Sequence, residues 1–193
     1  FDVPTDLRDV FAFNQGQYLT LRTEVDGADL RRSYSICAGI DDGELRGAVR
    51  KVAGGVFSNW INQRLKRGDE VQVMPPQGRF FVPLDPTAQR HYLGVAGGSG
   101  ITPIYANRVA KSTMFKEELE DLKTRYMARL SMHHVFSGED TELPLNSGVM
   151  NRDKLGEFMT RLVDAPRIDH VFVCGPYQMN DEAEAALLAA GVG

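Results

Sequence analysis

The sequence has little cysteine and no long apolar stretch. Its 193 residues include only two cysteines, Cys37 and Cys174. Two cysteines are too few for a disulfide framework or for an all-cysteine [2Fe–2S] cluster. No apolar run approaches the ~18 residues that span a bilayer, and the first residues show no basic region followed by an apolar one, as a signal peptide would. We therefore expect a cytoplasmic chain with no metal site of its own.

An excess of charge of one sign is also lacking. The formal net charge is −4, and lysine and arginine are spread along the chain. Neither nucleic acid nor an anionic membrane is therefore an expected partner. Hydrophobic residues make up 42% of the chain and charged residues 25%, a balance typical of globular proteins that bury a substantial core.

The first part of the chain predicts short β-strands around one helix. The β-rich segments are bounded by turn residues and cover 18–22, 33–37, 46–52 and 70–74, with a helix at 57–67. Several short strands with one small helix favour a compact antiparallel barrel.

The second part alternates between strands and helices, which indicates a parallel α/β sheet. The predicted strands are 91–96, 130–136 and 171–174, and the predicted helices are 112–126, 151–163 and 178–190. A polar, proline-containing segment at 82–90 is typical of a linker, so we predict domains at 1–87 and 88–193.

One spacing is too short for this pattern. Strand 91–96 and the next strand-like start, at Tyr105, are separated by only eight residues. A parallel crossover usually needs a dozen or more residues, generally with a helix. The sequence therefore leads to the hypothesis that a helix and much of a strand are missing between Ile104 and Tyr105.

Two motifs in the first part carry candidate binding residues. Arg32, Tyr34 and Ser35 stand on a predicted strand, where Arg32 and Tyr34 share one face. The second motif opens the predicted helix and consists of Gly55, Val56, Phe57 and Ser58. Free N–H groups at a helix start can bind phosphates. The alternatives are a solvated arginine and a simple helix cap.

Three more motifs lie in the second part. A glycine-rich loop follows strand 91–96 and contains Gly97, Gly98, Ser99, Gly100, Thr102 and Pro103. Peptide N–H groups in such a loop can hold a phosphate, because glycines leave the approach open. Asn107 and Arg108 end the next predicted strand. The last strand ends with Cys174, Gly175 and Pro176, at the edge where α/β sheets bind ligands. A tight packing turn and a buried cysteine are the ordinary alternatives.

Together and in this order, the motifs resemble the ferredoxin–NADP⁺ reductase superfamily. That resemblance implies an antiparallel β-barrel FAD-binding domain followed by an α/β parallel-sheet domain that binds NADPH or NADH. The runs RRSYSIC and GGVFSNWIN further resemble reductases of phenylacetate degradation. In those proteins a [2Fe–2S] ferredoxin domain follows the nucleotide domain.

The resemblance also implies roles for these residues. Arg32 would grip the flavin pyrophosphate, Tyr34 would stack on the isoalloxazine, and Ser35 would hydrogen-bond near flavin N5. The helix start at 55–58 would meet the flavin phosphates, and the glycine loop would cradle the pyrophosphate of the nicotinamide nucleotide. Arg108 would meet the adenosine ribose and favour NADPH. Cys174 would border the point where nicotinamide meets flavin, so Tyr34, Ser35 and Cys174 form the expected catalytic set.

The expected activity is hydride transfer from NAD(P)H to FAD, followed by single-electron transfer to a ferredoxin-type [2Fe–2S] domain or protein. That centre, which this chain does not hold, would supply an oxygenase component. Two alternatives stay open. One is the reductase domain of another oxygenase or of a flavohaemoglobin, and the other is a non-catalytic module that binds flavin or nucleotide.

Overall fold

A tight hairpin forms the centre of the first part of the chain. Strands β1 (Tyr18–Val25) and β2 (Ala28–Ser35) pair antiparallel along their whole length, from Tyr18 opposite Ser35 to Val25 opposite Ala28. Asp26 and Gly27 connect them, and both have positive φ angles, of 51° and 80°. That conformation gives a two-residue turn whose twist matches the strands it joins.

The computed structural model describes residues 1–97, 104–113 and 115–192, apart from the side chain of Ser112.

The chain divides into two compact units, Phe1–Asp85 and Pro86–Gly193. The elements of the first unit are β1, β2, helix α1 (Val56–Gln63) and the short strand β3 (Gln72–Val73). Its antiparallel sheet has the order β2-β1-β3. Alternate side chains of β1, including Leu19 and Leu21, point into the core. Phe57 of α1 packs in the same core, with only 3% of its surface exposed.

The second unit is a four-stranded parallel sheet with helices. Its elements are β4 (Tyr92–Gly97), β5 (Ile104–Asn107), α2 (Lys116–Arg125), β6 (His133–Phe136), α3 (Arg152–Arg161), β7 (His170–Cys174) and α4 (Tyr177–Ala189). The strand order is β6-β5-β4-β7. Helices α3 and α4 pack on one face over Val95 and Val135, whereas Leu119 of α2 packs with Ala96 and Tyr105 on the other. Within the described ranges, no helix is both long and apolar enough to cross a bilayer.

One prediction about these elements is wrong. Segment 46–52 forms no strand and contributes a single bridge, between Gly47 and Ile36. Strand β5 runs through Ile104 and Tyr105 and pairs them with His133 and His134 of β6, while the hypothesis that a helix and much of a strand are missing there stays a prediction. The connection from β4 to β5 is nevertheless short, since only residues 98–103 separate two parallel strands.

The start of β1 is held by backbone hydrogen bonds to a later segment of the first unit. The N–H of Tyr18 donates to the carbonyl of Gln77 over 2.8 Å, and the Gln77 N–H donates back over 3.0 Å. Gly16, with φ of +83°, lies where an added Cβ would be 2.0 Å from the Phe80 carbonyl oxygen. The segments 13–18 and 76–80 therefore hold each other, and Gly16 has no room for a side chain.

Replacing Gly16 with alanine will strongly destabilise the first unit. We expect a loss of about 3 kcal/mol or more, because the methyl group would collide with rigid backbone at an unfavourable φ. Gly27→Ala is the matched control: its φ is also positive, but nothing lies within 4 Å of the added Cβ, so it should cost about 1 kcal/mol. Urea unfolding followed by fluorescence of Trp60, the single tryptophan, measures both. Equal losses would contradict the steric argument.

The second unit will lose stability as the pH falls below about 6.5, the ordinary pKa of histidine. Burial lowers the pKa of both His133 and His134, with a smaller contribution from Lys123. The unfolded chain therefore takes up protons at a pH where the folded chain does not, and acid favours unfolding. His134 stacks on Phe136, so His134→Phe keeps a ring there and removes the titration. The midpoint temperature of thermal unfolding, followed by circular dichroism between pH 7.5 and 5, should fall less steeply with decreasing pH in this variant than in the parent protein. An unchanged slope would contradict the assignment.

Candidate functional site

The two candidate flavin motifs of the first unit lie against each other. The rings of Tyr34 on β2 and Phe57 on α1 are 6.0 Å apart between centroids. Phe57 also contacts Trp60, at 5.8 Å. Because Phe57 is buried in the core, its ring is not available to a ligand. Residues that are some two dozen positions apart in sequence are therefore brought to one place.

The side chains of β2 alternate as the sequence predicts. Arg32 and Tyr34 lie opposite Leu21 and Leu19 of β1, which belong to the buried core. Arg32 is exposed, and its Nη1 donates to the carbonyl of Arg31 over 2.6 Å. Burial raises the pKa of the Tyr34 phenol, against an opposing effect of Arg32. Tyr34 is thus a neutral, half-buried ring beside an exposed guanidinium, an arrangement that suits an aromatic ring carrying a phosphate group. Ser35 is exposed at the end of the strand.

Hydrogen bonds from α1 hold the loop before it in place. Asn59 donates through Nδ2 to the carbonyls of Val52, over 2.9 Å, and Gly55, over 2.7 Å. Asn62 donates to the Val49 carbonyl over 3.2 Å. The Ser58 hydroxyl donates to the Gly55 carbonyl and accepts from the Val52 N–H, both over 3.2 Å.

These contacts change how the second motif is understood. Gly55, and not Ser58, precedes the first helical residue, and the buried Ser58 hydroxyl is already engaged within the loop. The N–H groups of a helix's first turn have no intrahelical partner, so the backbone of Val56, Phe57 and Ser58 is the part that can bind a phosphate. Asn59 and Asn62 were not predicted from the sequence. The available signal was asparagine, a residue that bonds nearby backbone, inside a short helix.

In the second unit, the carboxyl ends of β4 and β7 meet. Ala96 pairs with Cys174, which brings Gly97 next to Gly175. A Cβ on Gly97 would lie 2.4 Å from Met179 Sδ, and one on Gly175 would lie 2.3 Å from Met179 Cε. Cys174 is exposed at this edge. The edge thus combines an accessible thiol with two glycines against which the Met179 side chain packs closely.

A cavity of about 660 Å³ opens beside this edge. It lies between the starts of α3 and α4, and its lining includes Asn151, Arg152, Pro176, Met179 and Glu182. The Arg152 N–H donates to the Glu182 carboxylate over 3.2 Å, which links the two helices. Pro176 is therefore both the residue before α4 and part of a cavity wall.

The remaining predicted positions divide between described and undescribed residues. Asn107 is buried, whereas Arg108 is exposed, so of the two only the Arg108 side chain is open to a ligand. The roles predicted for Gly98, Ser99, Gly100, Thr102 and Pro103 fall on positions outside the described residues. The predicted approach of Cys174 to Tyr34 stays a prediction. Among the residues that the structure covers, no group of three or more metal-ligating side chains occurs.

Each unit matches a family of redox domains. Residues 1–82 match the oxidoreductase FAD-binding domain, and residues 104–185 match the oxidoreductase NAD-binding domain. The chain therefore belongs to the oxidoreductases that carry an FAD-binding domain followed by an NAD-binding domain. This confirms the family resemblance.

Its relatives include components of oxygenase systems. The chain is 37% identical to one of the subunits of 1,2-phenylacetyl-CoA epoxidase from Escherichia coli, over 100% of this chain and 59% of the relative. It is 31% identical to the ferredoxin reductase component of 3-ketosteroid-9-alpha-monooxygenase from Rhodococcus rhodochrous, over 100% and 56%. A flavohemoprotein of Schizosaccharomyces pombe is 32% identical over 92% and 47%. The chain thus spans between about half and three-fifths of the length of these curated relatives.

Solved structures confirm the predicted fold class. The flavohem-like FAD/NAD binding domain of nitric oxide dioxygenase from Vibrio cholerae superposes with a TM-score of 0.78 at 22% identity, covering 99% of this chain and 86% of that one. A ferredoxin NADP⁺ reductase from Neisseria gonorrhoeae gives 0.76 at 15% identity, with 98% and 83% covered. The fold is an antiparallel FAD-binding domain followed by a parallel α/β nucleotide-binding domain.

The sequence comparison also bears on the short β4–β5 connection. The alignment with the Escherichia coli epoxidase protein has 211 positions and includes the whole of this 193-residue chain. At least 18 positions of that relative therefore have no counterpart inside the matched region. That number of positions is large enough for the helix and part of a strand that the short β4–β5 spacing predicts to be missing.

Replacing Arg32 with alanine will weaken flavin retention. We expect FAD affinity to fall about tenfold, the usual scale for one lost charge-assisted contact to a phosphate. Arg31→Ala is the matched control, since its side chain is equally exposed but projects from the other face of β2. Titration of the flavin-free protein with FAD, followed by flavin fluorescence, measures both affinities. A similar loss in the two variants would point to net charge rather than to a contact of Arg32.

Proposed function

We propose that this chain is the flavin- and nucleotide-binding part of an NAD(P)H-dependent electron-transfer oxidoreductase. The observation that carries the proposal is the presence of both an FAD-binding and an NAD-binding domain in one chain. Two relatives that align with the whole chain are named as parts of oxygenase systems. The first of these relatives also suggests the setting, which is phenylacetyl-CoA epoxidation.

The residues of the first unit fit a bound flavin dinucleotide. The exposed Arg32 would balance the negative charge of the pyrophosphate, and the first turn of α1 would donate backbone N–H groups to it. Tyr34 would keep its ring against the isoalloxazine without adding charge, because burial already raises the pKa of its phenol. Ser35 would supply a hydroxyl near the reacting ring atom.

The residues of the second unit fit a nicotinamide nucleotide at the edge formed by β4 and β7. Gly97 and Gly175 carry no side chain of their own there, and Cys174 is small and exposed, so a flat ring could come close to the chain. Arg108 would meet the adenosine end. When both cofactors are bound, they supply hydride transfer from nicotinamide to flavin and one-electron transfer onward. The chain's part is to position them, since hydride transfer needs the reacting atoms about 3–3.5 Å apart.

The electron acceptor is the finer part of the proposal. We infer a ferredoxin-type [2Fe–2S] centre outside the residues of this chain, which then supplies an oxygenase. The reductase component of a steroid monooxygenase among the relatives supports this direction of electron flow. The flavohemoprotein relatives support a second candidate, a reductase domain that serves a haem.

Rapid mixing tests the proposal. The purified protein should carry FAD, identified by mass, and its yellow colour should bleach within seconds under anaerobic conditions with NADPH or NADH. Added ferredoxin or haem protein should then be reduced, and the faster of the two identifies the class of acceptor. Slow or absent bleaching would overturn the proposal in favour of a module that only binds flavin.

Variants at Cys174 sharpen this test. Cys174→Leu should slow bleaching by about tenfold or more, because a bulky side chain would separate the rings and misplacement of reacting groups is costly. Cys174→Ala should keep most of the rate, since it stays small. Loss of rate in the alanine variant with full rate in the leucine variant would exclude the spacing role.

A further inference from the structure

A cavity of about 310 Å³ lies at the amino ends of the strands of the second unit. Its walls come from the starts of β4, β5 and β6, from the end of α3 and from the loop after α3. The edge that we propose for the nucleotide is formed by the carboxyl ends of these strands, so the cavity lies at the opposite end of the sheet. Its volume is at the small end of the range of ligand pockets, about 300–1,000 Å³, and suits a single ring with a short chain rather than a dinucleotide.

The walls of this cavity are apolar and rigid. Leu93 of β4, Ile104 of β5 and Phe158 of α3 line it, and they are only 5%, 2% and 0% exposed. Val163 and Ile168 line it as well and pack against the same core. Core packing therefore sets the shape of the cavity, and an apolar body that enters it gains free energy in proportion to the area removed from water.

One side of the cavity is polar and carries no charge. Ser131 and His133 both line it, whereas Met132 between them packs in the core on the other face of the sheet. The Ser131 Oγ and His133 Nε2 atoms are 3.3 Å apart, and the His133 ring stands edge-on to Phe158 with 5.5 Å between centroids. Burial lowers the pKa of His133, so the imidazole is neutral at pH 7. The pair thus offers a hydroxyl and a neutral ring.

The mouth of the cavity has one uncompensated positive charge. Arg129, Arg167 and Asp164 are lining residues, and Arg167 lies 4.0 Å from the Asp164 carboxylate. Among the residues that the structure describes, no carboxylate lies within ion-pair distance of Arg129. The Arg129 Cζ atom is 5.3 Å from the centroid of the Tyr126 ring. This cation–π contact restrains the guanidinium, which then loses less freedom when it binds an anion.

We propose that this cavity binds a small monocarboxylate with an aromatic or branched apolar body. The body lies among Leu93, Ile104 and Phe158, and the carboxylate meets Arg129 at the mouth, with the Ser131 hydroxyl beside it. A single guanidinium without a carboxylate partner matches one negative charge. The inference goes beyond the proposed function and does not rest on it, because no described lining residue belongs to the flavin or nucleotide motifs.

Titration calorimetry of the purified protein with 3-phenylpropanoate tests the site. We expect saturable binding with a Kd of about 0.1–1 mM, the scale for so small a ligand. The amide 3-phenylpropanamide keeps the ring and loses the charge, so it should bind about tenfold more weakly. Acetate keeps the charge and lacks the apolar body, so it should not saturate the protein at about 10 mM.

Two arginine variants test the contact at the mouth. Arg129→Gln should weaken binding of 3-phenylpropanoate about tenfold and leave binding of the amide unchanged. Arg125→Gln is the matched control, because Arg125 also lies over the Tyr126 ring, at 5.4 Å, but is not among the described residues that line the cavity. It should change the affinity for the carboxylate less than about twofold.

Nuclear magnetic resonance locates the ligand. Addition of 3-phenylpropanoate should shift the backbone amide signals of residues 129–133 and 162–168 and leave those of 174–176 in place. Absence of saturable binding, equal affinities for the acid and the amide, equal weakening in the two variants, or shifts confined to 174–176 would overturn the inference. These titrations involve no electron transfer, so a failure of flavin bleaching would refute the proposed function and leave this site intact.

Discussion

The close approach of β4 and β7 at their carboxyl ends constrains the whole second unit. Gly97 and Gly175 are so near that an added Cβ on Gly175 would be 3.2 Å from the Gly97 N. Met179, 8% exposed, fills the space below both. This contact fixes where α4 begins. On the same two strands, the buried Val95 pairs with Val173, and both belong to the core that lies against the helices. The edge that we propose for the nucleotide is thus a direct product of core packing.

The first unit reaches a comparable result by different means. Its phosphate-binding candidate is the first turn of a helix only eight residues long, which is too short to be stable by itself. Phe57 anchors that helix in the core, and Asn59 and Asn62 tie the preceding loop to it. Core packing and side-chain hydrogen bonds therefore hold in place the backbone groups that a ligand would use.

The sequence predicted the elements with strong periodicity and missed those decided by side-chain contacts. The α/β alternation of the second unit was readable because buried strands and amphipathic helices have distinct periods. Segment 46–52 has a strand-like pattern, but the Val49 carbonyl accepts from Asn62 and the Val52 carbonyl from Asn59, so these groups serve α1. Helix α2 begins four residues later than predicted because Phe115 has a left-handed conformation, with φ of 55°. Neither these hydrogen bonds nor the backbone conformation of Phe115 has a local sequence signature.

The short β4–β5 connection has a physical explanation in the register of the sheet. A crossover between full-length parallel strands must return along the whole strand, which is why it usually carries a helix. Here β5 begins at Ile104, which pairs with Val95, only two residues before the end of β4. The chain therefore returns by about two residues, or roughly 7 Å, which six residues can span.

The consequence of this short return is a short β5. The first half of β4 has no partner in β5, and a cavity of about 310 Å³ lined by Tyr92, Ile104 and His133 lies at that end of the sheet. Because this end is opposite the carboxyl edge, the shortening removes strand from the base of the unit and leaves the edges of β4, β5 and β7 that carry Gly97, Arg108 and Cys174 in parallel register.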